Sequence, residues 1–361
     1  MTVPQKMLWV DPLGLDTNTG SKLNPLRTVH RAVTLATPGT AVIVKPGSYV
    51  ENVKVPSLTG GTPEAPCQLV LLNGANIKAA NLRDSVIKGL SIHDWNFFGL
   101  GGPGWHLQYG ANGIQVSMSG TNMVTGVISK NIRIQGFRIR EVGNDGVKIS
   151  QADFVQVLDN IISCTGENGI DFVAVNDSVI AHNQCTLILN ADESQCINAK
   201  CGSTRILIER NRVHTSSFVG ISVGGYSSLD VFRPDFSGYE AKDVIARNNW
   251  VSDIGGCPCV VTGAVNSTIE GNRLDGNPHV AATRYAVMVD DGQFDTLDPG
   301  FVRSVGNYTA NLGPLMWNKT RWGATQPAFI DSQPSTIPFT PATGPRLFEP
   351  WPGFQATLDA A

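Results

Sequence analysis

Apolar residues recur at every second position in many short runs of this chain, rather than at every third or fourth. Successive side chains of a strand face opposite ways, so the alternation predicts strands with one buried face. Three runs show it in register: GNDGVKIS (143–150), GENGIDFV (166–173) and ESQCINAKCG (193–202). Each places a polar turn before a strand. Val147, Ile149, Ile170, Phe172, Ile197 and Ala199 share the inward face, and Lys148, Asp171, Asn198 and Lys200 the outward one. Stacked, the outward set forms an exposed ladder of ammonium, carboxylate and amide groups. Gln115 precedes it and Ser222 follows, while Lys200 sits one outward column further on.

The pattern repeats. An apolar–x–apolar strand followed by Asn or Gly and another apolar pair places aligned residues at 89, 136, 160, 183, 211, 249 and 272. The shortest spacing, near 23 residues, is one turn of a coil of three short strands, and Asn160, Asn183, Asn211, Asn249 and Asn272 form a structural ladder at one corner. The chain is thus expected to be all-β, a right-handed single-stranded parallel β-helix with an N-terminal capping helix and an irregular C-terminal tail. Residues 1–65 form the cap and first coil: a strand at 7–10, a helix near Leu26–Ala36, then two strands around Pro46-Gly47. A stack of coils needs such a cap, because its terminal rung would otherwise open the core to water. Residues 66–291 form the coil core, with aromatic insertions at 94–112 and 226–239 walling the ladder, and 292–361 the tail.

Composition narrows the function. Charged residues make up only 16% of the chain and net charge is −3, which leaves no basic field for nucleic acid or membrane. No apolar run reaches a membrane span. Most of the seven cysteines fall in or beside the repeats, where they read as small core residues. The N-terminus lacks the form of a signal peptide. An extracellular or cell-surface protein, secreted or virion-associated, remains the expectation.

Acidic groups concentrate in two or three adjacent coils. Carboxylates one strand spacing apart repel, and a hard divalent cation removes that cost. Asp145, Glu167, Asn168 and Asp171 supply oxygens suited to calcium, whereas the six histidines are scattered and give no zinc-type set. Lys200 on the same face suits a general base, with Lys148 next in line. Such a base and a charge-stabilising cation together serve β-elimination from a uronic acid, without an organic cofactor.

The whole pattern resembles the parallel β-helix polysaccharide lyases of the pectate-lyase superfamily, most closely the ninth lyase family. The opening, WVDPLGLDTNTGSKLNPLRTVHRAVTLATPGTAVIVKPGSYVENV, is similar to the cap of many such proteins. In that family an Asp-Asp-Gly-apolar-Asp motif, with an Asp from the previous coil, binds calcium. Glu167-Asn168-Gly169-Ile170-Asp171 stands in its place, with Asp145 before it; Lys200, in NAKCGS, matches the family's base. Related lyases carry an arginine on the coil after the lysine; here that strand reads VGISVGG, and Arg233 in the inserted loop is the substitute. The resemblance implies an acidic polysaccharide as substrate, met also by Tyr226, Asn198 and Glu193.

Three other readings fit the same fold. A glycoside hydrolase would pair Asp171 with Glu193 or Asp145. A uronate epimerase would share the proton abstraction. A tail-spike or other carbohydrate-binding solenoid would grip the polymer without cutting it.

Overall fold

The computed structural model describes residues 2–119, 126–188, 194–227, 231–233, 238–275, 285–290, 307–312, 317–320, 329–332 and 348–360. It is a parallel β-helix: every pairing between its named strands is parallel, and each strand bonds to its counterpart one coil away. The pairings fall into three columns, which are the three sheets of the coil. The first sheet begins at Lys6–Val10, Thr40–Val44 and Cys67–Leu71; the second holds Arg138–Val142, Ile161–Thr165 and Gln184–Ile188. The third carries the ladder and runs through Ile114–Ser117, Gln195–Lys200 and Val219–Gly224. Two long strands, Val147–Leu158 and Ile170–Ala181, cross from the third sheet into the first. They turn without ending because Gln151, Phe154, Ala174 and Asp177 adopt positive φ between 49° and 57°.

Inward columns follow the alternation. Ile114, Val147, Ile170, Ile197, Ile221 and Cys259 lie in register, as do Ile149, Phe172, Ala199 and Val223, and all are buried. Burying each of the larger side chains contributes about 1.5–3 kcal/mol before entropy is counted. The cap helix spans Val29–Thr34, shorter than expected. Thr28 caps it by accepting from the Arg31 N–H, and the Glu51 carboxylate of the next coil accepts from Val29 and His30. Val29, Ala32 and Val33 close the first coil.

The expected asparagine ladder is present. Each Oδ1 of Asn183, Asn211, Asn249 and Asn272 accepts from both the backbone N–H and the Nδ2 of its neighbour on the preceding coil, at 2.9–3.0 Å. A left-handed residue precedes each corner: Asp159, His182, Arg210 and Asn248 all have φ between 54° and 58°. That conformation costs a non-glycine residue about 1–2 kcal/mol, and the ladder bonds offset it.

Three expectations are corrected. Gly89 is not at this corner, since it pairs with Val55 and Val116 in the third sheet; Gly136 occupies the left-handed position, and the Phe137 N–H donates to Asn160 Oδ1. Residues 94–112 are mostly coil rather than a wall: His93–Gly99 pairs within the first sheet and Leu107–Gln108 within the second, with Trp95 and Phe97 in the core. The tail is not uniformly irregular. Parallel strands continue through Asn307–Leu312, Trp317–Thr320 and Phe329–Ser332, and a helix forms at Phe354–Ala360.

This helix runs back over the first coils. Trp9, Ile43, Val70 and Phe98 stack in register on the outer face of the first sheet, and Trp351, Phe354 and Leu358 cover them. The Lys22 ammonium donates to the Leu358 carbonyl at 2.7 Å. Replacing Leu358 by alanine should cost about 2 kcal/mol, read as a lower urea midpoint with an unchanged slope.

Candidate active site

The outward residues Gln115, Lys148, Asp171, Asn198 and Ser222 stand opposite one another on consecutive coils. Val173 pairs with Lys200 in the next outward column. The ladder is not exposed as alternation alone predicts. Asp171, Asn198 and Ser222 are buried, whereas Lys148 and Lys200 keep side-chain exposures of 25% and 23%. A buried charge requires partners. Lys148 Nζ donates to Asp171 Oδ2 and lies 3.4 Å from Asp145 Oδ2, while Lys200 Nζ lies 3.6 Å from Asp171 Oδ1. One carboxylate thus sits beneath two ammonium groups.

A second polar ladder feeds these strands. Asn112 Oδ1 accepts from the Asp145 N–H at 3.1 Å. Asp145 Oδ1 accepts from the Asn168 N–H at 3.1 Å and from its Nδ2 at 2.7 Å. Asn168 Oδ1 accepts from the Gln195 N–H at 2.9 Å. Asn112 was missed as a member of this set. Its signal is the Asn/Asp-Gly dipeptide at 112–113, 145–146 and 168–169. Glycine is required there by close approach: a Cβ on Gly146 would lie 2.7 Å from the Gly169 carbonyl oxygen and 2.4 Å from Ile162 Cγ2.

Charge sets the protonation states. Burial alone would push the Lys148 ammonium's pKa down, but Asp171 and then Asp145 outweigh it and hold it above the ordinary lysine range. Burial would likewise raise the Asp171 carboxyl, yet Lys200 and Lys148 pull it below its usual value. Asp145 is pushed up to about 6, first by burial and then by Asp171, against Lys148 and Asn168.

The two carboxylates give stability opposite pH slopes. The contribution of Asp171 is present above its unfolded pKa and is lost as pH falls. That of Asp145 is full below the unfolded value near 3.8 and is lost as pH rises through about 6. Asp145→Asn keeps the oxygen that Asn168 needs and removes the second slope. It should raise stability at pH 7 relative to pH 4 by about 1–3 kcal/mol over the wild-type difference, measured by denaturant titration at both values.

The inserted loop walls one side. Phe232 packs on Val173, Ala174 and Cys201. Glu240, unnoticed in the sequence, ties the loop to the coil: its carboxylate accepts from the Cys201 N–H at 2.8 Å and from the Ser227 N–H at 2.7 Å. Gly225 lies against the Lys200 stem, where a Cβ would come within 3.0 Å of Lys200 Cδ. Tyr226, 48% exposed, stands at the rim. Arg233 does not present its guanidinium to the ladder. It donates to the Ala174 and Ala152 carbonyls at 2.9 and 2.8 Å and pairs with Asp153 at 2.8 Å. Its role is to fasten the loop. Glu193 lies outside the described residues.

The calcium donor set does not assemble as the sequence implies. No three carboxylate, imidazole or thiol side chains converge among the described residues. Asn168 has its amide oxygen and nitrogen both engaged, Asp145 Oδ1 is used by Asn168, and Glu167 is exposed. Lys148 occupies the space between Asp145 and Asp171. A shell of six to eight oxygens cannot form around these residues as they stand.

Residues 13–280 match the family model described as "Protein of unknown function (DUF1565)". The chain belongs to that family. Comparison of this DUF1565 member with curated proteins finds no match. Among solved structures, it is similar to XylC in complex with xylose, at 12% identity and a TM-score of 0.58, over 87% of this chain and 70% of that one. It is similar to a glycoside hydrolase at 8% identity and a TM-score of 0.56, over 92% of this chain and 99% of that one. It also aligns with pectate lyase Pel9A at 14% identity and a TM-score of 0.49, over 91% and 80% of the two chains. At such identities the likeness speaks to the fold alone. The choice of function rests on the site's own residues. Among the described residues, no helix is long and apolar enough to cross a membrane.

Proposed function

We propose that this protein cleaves an acidic, uronic-acid-containing polysaccharide by β-elimination, with Lys200 as the base. The observation that carries the reading is the unequal pair of lysines over Asp171. Lys148 is fixed as an ammonium between two carboxylates, whereas Lys200, among the described residues, comes within ion-pair distance of Asp171 alone, at 3.6 Å, beyond hydrogen-bond distance. A uronate carboxylate set against Lys148 would have its charge balanced as electron density builds on it. Lys200 Nζ, after giving up its own proton to solvent to become the neutral amine, would then take the proton from the carbon next to that carboxylate. The electron pair left behind forms the carbon–carbon double bond, the bond from the ring to the glycosidic oxygen breaks, and solvent protonates the leaving oxygen. Tyr226 at the rim would pack against a neighbouring sugar ring.

The hydrolase alternative needs one carboxyl group that reaches the glycosidic oxygen; Asp145 and Asp171 are both buried and ion-paired, so Glu193, outside the described residues, would have to supply it. An epimerase would share the first step and return the proton to the opposite face. A substrate of this class would imply a protein that works outside the cell or at its surface.

A panel of uronic-acid polymers, followed by ultraviolet absorbance and by mass spectrometry of the products, tests the proposal. New chain ends that carry an unsaturated sugar are expected. Reducing ends without ultraviolet absorbance would replace elimination by hydrolysis. Inversion at one ring carbon without cleavage, seen by NMR, would make it an epimerase.

A further inference from the structure

We infer that Lys148 is a built-in cation, standing where a divalent ion would otherwise neutralise Asp145 and Asp171, so that the ladder works without calcium. Three observations meet here. First, the Lys148 ammonium bridges Asp145 Oδ2 and Asp171 Oδ2, the two carboxylates that a metal ion would have to join. Second, the remaining oxygens are turned to other uses. Asp145 Oδ1 and Asn168 Oδ1 hold backbone and amide donors of the turn ladder, and Glu167 stays exposed. Third, each buried carboxylate already faces an ammonium group: Asp145 that of Lys148, and Asp171 those of Lys148 and Lys200. A divalent ion entering this cluster would meet two ammonium groups within a few ångströms and would have to expel Lys148 first.

The consequence reaches beyond the metal. Lys148 is joined to the fold, so the positive charge offered to a substrate carboxylate cannot be diluted away or chelated.

The test uses the full chain and needs no substrate, so its outcome is separate from that of the elimination assay. Thermal unfolding and titration calorimetry would be run with millimolar calcium, with magnesium and with a chelator, on the wild type, Lys148→Arg and Lys148→Ala. The wild type and Lys148→Arg, which keeps the charge, should show no calcium-dependent shift in Tm and no binding heat. Lys148→Ala frees Asp145 Oδ2 and Asp171 Oδ2 for a calcium ion whose shell water completes, and its Tm should rise by several degrees with calcium and fall back with chelator. If Lys148→Ala does not fold unaided, refolding it with calcium should recover the native circular dichroism, and refolding with chelator should not. Saturable calcium binding by the wild type would overturn the inference. So would a folded Lys148→Ala protein that ignores calcium, or an unfolded one that calcium fails to rescue.

Discussion

Lys200→Ala should lower the rate of unsaturated-product formation by roughly 10²–10⁴-fold, the usual contribution of a positioned general base. The fold should hardly notice. Lys200 meets Asp171 only at 3.6 Å, and Asp171 keeps its direct bond to Lys148, so the stability loss should stay near 1 kcal/mol. Lys200→Arg separates two roles. It preserves a positive charge over Asp171 but offers a guanidinium that does not give up its proton at neutral pH. Arginine should therefore restore polymer binding, read as KM, and leave kcat as low as alanine does. Full activity in Lys200→Arg would transfer the base function elsewhere on the face.

Asn211→Ala should be among the most damaging single substitutions in the coil, at about 3–5 kcal/mol. Asn211 Oδ1 accepts from the Asn183 N–H at 2.9 Å and from its Nδ2 at 3.0 Å, while its own Nδ2 donates to the Ile180 carbonyl at 2.9 Å and to Asn249 Oδ1 at 3.0 Å. Alanine deletes all four bonds in a position without solvent access. Each buried group left unpaired costs about 1–3 kcal/mol, and partial relaxation holds the sum to the stated range. The expected signature is a large drop in the urea midpoint. Asn211→Asp is the informative companion. It keeps the acceptor but adds a buried negative charge and loses both donors, so it should be no better tolerated than alanine.

The coil and the register of its ladder were legible in the sequence because two-residue periodicity and the 23-residue spacing are backbone properties. They set Gln115, Lys148, Asp171, Asn198 and Ser222 opposite one another, as the strand pairing does. Burial along that column was not legible. Whether Asp171 faces water depends on where two long, flexible lysine side chains lie, and no local pattern encodes that. Asn112 was overlooked for a different reason: its dipeptide reads as an ordinary turn until the coils are stacked.

Elsewhere the misreadings have a common origin in contacts between distant segments. The consecutive Phe97 and Phe98 break the alternation, so 94–112 reads as an inserted wall. In the fold Phe97 points into the core and Phe98 meets Phe348, with ring centroids 5.7 Å apart. Arg233 was assigned to chemistry because it sits in the loop beside the ladder, yet carbonyls of the two long strands claim its donors.

The C-terminal helix over the first coils changes how such a stack can assemble. In a solenoid each coil contacts only its neighbours, so coils can form in order as the chain leaves the ribosome. Here the strip from Trp9 to Phe98 stays bare until residues 351–358 arrive. Until they do, the nascent protein carries an adhesive apolar stripe over coils that are already made. Once docked, the helix is tied to coils more than 250 residues earlier in sequence, so that end of the stack can no longer fray alone.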